Sequence, residues 1–390
     1  MPAQAVASDL VDRVRRRLAA EAAAPTADNV ARVMRAEPGV FGPETVLAVV
    51  DQVRRDTAGA GPLEPLLVEP GVTDVLVNGT RGVYVDRGQG LEPVPVGFGG
   101  DDEVRRLAQR LASLAGRRLD DASPWVDARL PDGTRLHAVL APIAHPGTVI
   151  SLRVPSRRSF SLDDLIAAGA LGPDGAEVLR GLLASRAAFV ISGGTGTGKT
   201  TLLSALLAEV PVDERLVVVE DAAELRPDHA HVVALESRPA NVEGRGEVTL
   251  RDLVRQALRM RPDRLVVGEV RGAEVVDLLA ALNTGHEGGC GTIHANSAAD
   301  VPARFEALAL SAGLPREAVH AQLAAGLDAV IHLGRGPDGR RAVDHLGVLR
   351  VGPSGVVECV PAVTFDGLRG VRSGPGHEVL RAVLGRRRAV

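Results

Sequence analysis

Aromatic residues are scarce in this chain of 390 residues, 2% of the total, with one Trp, one Tyr and six Phe. That leaves little from which to build stacking platforms for nucleic-acid bases. Cysteine is scarcer still, and Cys290 and Cys359 lie far apart with no C-x-x-C pair. Neither a disulfide framework nor a four-cysteine zinc site is indicated, and both thiols read as small buried hydrophobes. No apolar run approaches the roughly 20 residues that span a bilayer. No charged leader with an apolar core and a small-residue cleavage site opens the chain, so the expected location is the cytoplasm. Net charge is low as well, −4 from 45 basic and 49 acidic residues, which argues against bulk nucleic-acid binding. An oligomer could still gather arginines in a central channel.

The rarest type is lysine. Of the 45 basic residues only Lys199 is not an arginine, and it stands in Gly193-Gly194-Thr195-Gly196-Thr197-Gly198-Lys199-Thr200. This is the pattern G-x-x-x-x-G-K-[ST]. A compact ammonium on a thin stem has been kept at the one place where a planar guanidinium would be too broad. Glycines without side chains let successive backbone N–H groups curl around an anion at a helix start. The flanks have the required order: 187–192 read as a buried strand and 201–207 as a helix. Residues Gly193 to Lys199 with Thr200 and Thr201 are therefore candidates for holding a nucleotide, and the Thr200 hydroxyl is suited to Mg²⁺.

At 45% hydrophobic content, a chain of this length buries a large core and divides into two or three domains. Residues 8–22 place Leu10, Val11, Val14 and Leu18 at helical spacing, with Arg13, Arg15, Arg16 and Arg17 on the other faces. Further helices are predicted at 30–35 and 44–55, completing a helical segment over 1–58. A mixed α/β domain follows over 59–154, with strands near 72–79 and 82–86, a helix at 103–114 and a strand at 149–154. Its hairpin at 127–138 turns on Pro131-Asp132-Gly133. After a polar linker at 155–159, residues 155–390 read as a parallel α/β core. Helices run to about 327, a hairpin crosses 336–339, and the tail carries Arg386, Arg387 and Arg388.

Three more apolar runs stop at residues suited to phosphoryl chemistry. Leu216-Val217-Val218-Val219 is followed by Glu220-Asp221-Ala222-Ala223-Glu224, Leu265-Val266-Val267 by Gly268-Glu269-Val270-Arg271, and Gly291-Thr292-Ile293 by His294-Ala295-Asn296. Parallel strands bring their carboxyl ends to one edge, where open α/β sheets bind ligands. Hydrolysis of a γ-phosphate needs an oriented water, a held metal and a neutralised charge. Glu269 suits the metal and its waters. Glu224 is the first choice to polarise the attacking water, with Glu220 second. His294 could bond the γ-phosphate, and His286 has weaker grounds for the same role.

These motifs, taken together, resemble the secretion and pilus-assembly ATPases, in particular the CpaF/TadA-type branch that serves tight-adherence pili. The resemblance rests on Gly61-Pro62-Leu63-Glu64-Pro65-Leu66-Leu67, Val77-Asn78-Gly79 and Asp127-Ala128-Arg129-Leu130-Pro131-Asp132-Gly133 ahead of the nucleotide loop. Behind it stand Glu220-Asp221-Ala222-Ala223-Glu224, Arg259-Met260-Arg261-Pro262-Asp263-Arg264 with Gly268-Glu269-Val270-Arg271-Gly272, and Thr284-Gly285-His286 with Thr292-Ile293-His294-Ala295-Asn296. It implies a RecA-like P-loop ATPase core using ATP and Mg²⁺, and a smaller N-terminal domain, preceded by helices, that closes over the nucleotide. It also implies a homohexameric ring that drives pilin extrusion through membrane platform proteins at the cytoplasmic face. In such proteins N-terminal arginines reach the phosphates, and Arg135 and Arg153 correspond best, with Arg129 third. His137 and Val154 depart from the usual asparagine and lysine, and the absent cysteine cluster argues against the type II branch. A conjugation or DNA-transport motor and a nucleotide-dependent assembly switch remain the alternatives.

Overall fold

The computed structural model describes residues 3–385 apart from 22, 24, 25, 39, 40, 89, 156–158, 241–243, 286, 337, 338, 368 and 369. The chain divides into two compact units, Met1–Ser156 and Arg157–Val390.

In the first unit, helices α1 (Ala3–Ala20), α2 (Ala27–Arg35) and α3 (Pro43–Ala58) realise the three predicted helical segments with longer bounds. Their apolar stripes bury Leu10, Val14, Leu18, Val30, Val33, Met34 and Val53 against one another in a cluster of their own. The Thr26 hydroxyl accepts the Asn29 N–H and so caps α2. After the short helix α4 (Glu64–Val68) come strands β1 (Asp74–Asn78), β2 (Val83–Asp86) and β3 (Leu91–Val94), then helix α5 (Asp101–Leu114). Strands β4 (Trp125–Arg129), β5 (Arg135–Val139) and β6 (Val149–Arg153) follow. They form one antiparallel sheet in the order β3-β2-β1-β6-β5-β4. Alternate residues Val75, Val77, Leu136, Ala138, Ile150 and Leu152 point to the core, where α5 lays down Val104, Leu107 and Leu111. The β4–β5 turn holds Gly133 at φ 92°, and the Asp132 carboxylate accepts the Thr134 N–H at 3.0 Å.

The second unit is built on nine strands: β7 (Phe189–Gly193), β8 (Leu216–Glu220), β9 (Val232–Glu236), β10 (Arg264–Val270), β11 (Cys290–His294), β12 (Ala329–Arg335), β13 (Arg341–Val351), β14 (Val357–Phe365) and β15 (Val371–Ser373). Helices α6 (Leu162–Ala167), α7 (Pro173–Ala184), α8 (Lys199–Ala208), α9 (Leu250–Ala257), α10 (Glu274–Leu282), α11 (Val301–Ser311), α12 (Arg316–Gly326) and α13 (His377–Leu384) pack around them. The sheet order is β15-β14-β13-β12-β7-β11-β10-β8-β9. From β9 to β12 the neighbours are parallel, and from β12 to β15 antiparallel.

Both faces of the parallel part are covered, which is why its strands read as continuous apolar runs. Phe189, Ile191, Leu216, Val218 and Ile331 enter the core under one face, while Val190, Val217, Val219, Leu265 and Val330 enter the other. Strand β9 was not anticipated: it is a half-exposed edge whose residues are only partly buried. Part of the expected hairpin at 336–339 and the tail arginines 386–388 lie outside the described residues. Cys290 is buried and Cys359 half-buried, both are free, and burial pushes each thiol up to about 12.

At the amino end of β10, Arg264 is 1% exposed and its Nε lies 2.6 Å from Glu214 Oε2, while Nη2 donates to the Leu183 carbonyl. A buried pair of this kind is costly to break from one side only. Glu214→Gln is expected to lower the free energy of unfolding by about 3–5 kcal/mol. Glu214→Leu with Arg264→Met should lose clearly less; equal losses in urea titrations would refute this account.

Candidate active site at the carboxyl ends of the parallel strands

The loop between β7 and α8 is shaped by its glycines. Gly196 and Gly198 sit at φ 69° and 97°, in the left-handed region that side chains disfavour. Gly193 is glycine for a second reason: a Cβ there would stand 2.6 Å from the Leu333 carbonyl oxygen and 2.8 Å from Thr197 Oγ1. Thr197 donates its hydroxyl to the Gly194 carbonyl at 2.9 Å, closing the loop on itself. Lys199, at the first turn of α8, donates to the Gly193 and Gly194 carbonyls at 3.0 and 2.9 Å. Burial holds its ammonium below the usual lysine value, against the pull of the nearby Glu269 carboxylate, with Arg271 adding to the lowering.

Register brings the other strand ends to this loop. His294 is paired directly with Gly193 across β11 and β7, and β10 and β8 follow in parallel beyond β11. Near the end of β10 the pairing shifts between Val267 and Val270, an irregularity of the kind that re-aims a side chain. Glu269 lies within it, half-buried, near enough to Lys199 to act on its charge, and it accepts a hydrogen bond from Arg271. Arg271 is held above its ordinary value first by that bond, and it also feels Asp221 and Glu224. The charges thus alternate in one cluster: Lys199, Glu269, Arg271, then Asp221 and Glu224.

Glu220 and Glu224 separate into two roles. Glu220 is 4% exposed, and its carboxylate accepts the N–H groups of Glu224 at 3.2 Å and Leu225 at 3.1 Å. Its side chain fills the space over Gly268, where a Cβ would meet its Cγ at 2.5 Å. Desolvation raises its carboxyl to about 7, more than those N–H bonds lower it. Glu220 therefore supports the turn, and Glu224 is the exposed carboxylate at its end. His294 is exposed at its strand end, whereas His286 lies outside the described residues.

Arg129, Arg135 and Arg153 belong to the first unit. Arg129 opposes Arg135 across β4 and β5, and Arg135 opposes Arg153 across β5 and β6. Asp127 lies 3.6 Å from Arg135 and Asp74 lies 3.2 Å from Arg153. Like charges set directly opposite one another oppose sheet pairing.

Four residues near the loop went unassigned from sequence. Arg271 was quoted in a motif without a role, although it stands two residues beyond Glu269. Arg335 donates to the Gly196 carbonyl at 3.0 Å, and its register partner Arg341 has Cδ 3.9 Å from where a Gly198 Cβ would stand. His332 meets Ser192 from the next strand. No spacing rule connects residues 332–341 to residues 192–198; only the sheet does.

Because Glu220 has a raised folded value, the fold favours its protonated form. Its contribution to stability is complete below about 4.5, its unfolded value, and is lost as pH rises through about 7. Glu220→Gln keeps an acceptor without the ionisation. The wild type is expected to lose up to about 3 kcal/mol relative to this variant between pH 5 and pH 8; parallel unfolding curves for both proteins across that range would rule it out.

The type II/IV secretion system protein model matches residues 56–369. A Mycobacterium tuberculosis protein named for conjugal transfer is 56% identical over 317 residues, covering 80% of this chain and 90% of that protein. The type IV secretion system protein PtlH of Bordetella pertussis is 35% identical over 260 residues, covering 60% of this chain and 76% of its own length. Among solved structures, the Yersinia pseudotuberculosis ATPase DotB aligns with a TM-score of 0.54 at 18% identity, covering 82% of each chain. That likeness concerns the fold, and it agrees with a RecA-like core. With most of its length matched by one family model and 90% of a 56% identical relative covered, this chain belongs to the type II/IV secretion system protein family.

Proposed function

We propose that the chain is a magnesium-dependent ATPase that powers a pilus or secretion machine. One observation carries the reading: the phosphate-type cradle, its lysine and an alternating set of carboxylates and arginine meet at one sheet edge. In this reading the loop N–H groups of residues 194–200 bind the polyphosphate, and Lys199 exchanges the Gly193 and Gly194 carbonyls for phosphate oxygens. Thr200 and Glu269 would hold Mg²⁺, which supplies charge neutralisation. Glu224, exposed and anchored through its own N–H by Glu220, orients the attacking water and takes its proton. Arg271 fixes Glu269, and His294 stands where it can bond a terminal phosphate. Arg135 and Arg153, with Arg129, are the first unit's cations for the same phosphates, and their in-register crowding is the observation that supports them.

The wider assignment rests on the motif set and on the family. We place the protein as a homohexameric ring at the cytoplasmic face of the membrane, working on platform proteins of a tight-adherence-type pilus with pilin as indirect substrate. Among the described residues no helix is long and apolar enough to cross a membrane. A conjugation motor is the second reading, favoured by the 56% identical relative's name. A nucleotide-dependent assembly switch has less need of the Glu224 arrangement.

The purified full chain is expected to hydrolyse ATP only with magnesium. Lys199→Ala and Glu224→Gln should each lower turnover by about 100-fold or more, with Glu224→Gln still binding ATP; a fully active Glu224→Gln would remove that carboxylate from the role. Single- and double-stranded DNA should leave turnover within about twofold, because few aromatic residues are available to stack on bases. Stimulation by an order of magnitude would move the assignment to the conjugation motor.

A further inference from the structure

Behind the nucleotide loop lies a buried polar relay that the catalytic reading does not use. Ser192, the residue before the first loop glycine, is fully buried, and its Oγ is 2.9 Å from His332 Nδ1 and 3.5 Å from the Ile331 carbonyl. His332 is 7% exposed and stands beside Ser192 in the parallel β7–β12 ladder. On its other side it opposes His345 of β13, with ring centroids 5.3 Å apart and planes tilted by 35°. His345 Nδ1 lies 3.2 Å from Asp344 Oδ2, near the surface. The β12–β13 register shifts after His332, and the next residue, Leu333, sets its carbonyl against Gly193. Asp344, His345, His332 and Ser192 thus line up from solvent to the start of the cradle, joined by hydrogen bonds at both ends and by a ring contact between the two histidines.

We propose that His332 is a positioning residue for the cradle: its neutral imidazole accepts the hydrogen bond donated by Ser192 Oγ, which fixes Gly193, and protonation of His332 reverses that bond and loosens nucleotide binding. Once His332 carries a proton, Nδ1–H donates to Ser192 Oγ, and the hydroxyl turns to the Ile331 carbonyl. The charged groups around the ring are known. Burial is the largest influence and disfavours its protonation, with His345 and Lys199 acting in the same direction and Asp344 and Asp300 against them. The ring is therefore neutral near pH 7, and both the bond and its contribution are complete above about 6.5, falling as pH drops through the lowered value.

The inference rests on the reading of residues 193–200 as a nucleotide cradle. It is tested on the full chain by titrating a fluorescent ATP analogue with magnesium between pH 5.5 and 8, with melting curves to confirm folding. His332→Gln, which can still bond Ser192 but does not titrate, should match the wild type at pH 7.5. At the foot of the wild type's acid limb it should bind about three- to tenfold more tightly than the wild type, the size of one exchanged hydrogen bond. His345→Gln removes the neighbouring imidazole that disfavours protonation of His332 and should move the wild-type acid limb to higher pH. In a Ser192→Ala background the difference between His332 and Gln should vanish. Superimposable profiles for wild type and His332→Gln would overturn the proposal, as would equal losses in His332→Gln and His332→Leu at pH 7.5. A wild type that binds no nucleotide at any pH would instead refute the cradle itself.

Discussion

Everything at the candidate site depends on the register of one parallel sheet. Gly193, His294, Val270 and Glu220 end four strands whose order across the sheet, β7-β11-β10-β8, is not their order in the chain, and only lateral pairing places them on one edge. That pairing is held by burial on both faces, because alternate residues of β7, β8 and β12 enter two separate cores. A slip of one residue would exchange the two sets of side chains and move each strand end along the edge. Close approaches reinforce the register from inside. The Thr292 hydroxyl donates to the Gly268 carbonyl at 2.6 Å, and Glu220 packs over the same glycine. The supporting carboxylate and the strand that carries Glu269 are thereby locked together.

Electrostatics at this edge follow from the same packing. Lys199, half-withdrawn from water, has its ammonium held by two loop carbonyls, acceptors that carry no net charge. Bonds from an ammonium to an anionic oxygen are stronger than bonds to neutral carbonyls. The two carbonyls thus satisfy the ammonium without neutralising it. Glu269 and Arg271 restrain each other next to that cation, so the carboxylate is kept in place without being neutralised by Lys199 itself.

Much of this was readable from the chain, and the division has a physical basis. The loop, the flanking strand and the helix are local, so turn chemistry and hydrophobic runs disclosed them. The strand-end carboxylates were readable because each closes a buried apolar run. Their difference in setting was not: the chain ranks Glu224 ahead of Glu220, but the burial of one and the exposure of the other come only with the fold. Strand β9 escaped because an edge strand is not forced to be apolar on both faces. His332, Arg335 and Arg341 escaped because their relation to the loop exists only through the β7–β12–β13 pairing.

Two features of the chain set charge against charge, and they are resolved differently. Arg264 is buried and met directly by Glu214, so its charge is matched within the fold. Arg129, Arg135 and Arg153 stand in register across three strands of the first unit, the same row continues with Asp74 and Asp86, and Asp127 lies 3.6 Å from Arg135. Nothing in the packing of that sheet requires cations there, since the inward positions of the same strands already supply the core. A fold that needed only stability would tolerate neutral residues at all three places and avoid the cross-strand repulsion. Arginine at these places brings a planar, multiply donating cation that the core itself does not ask for.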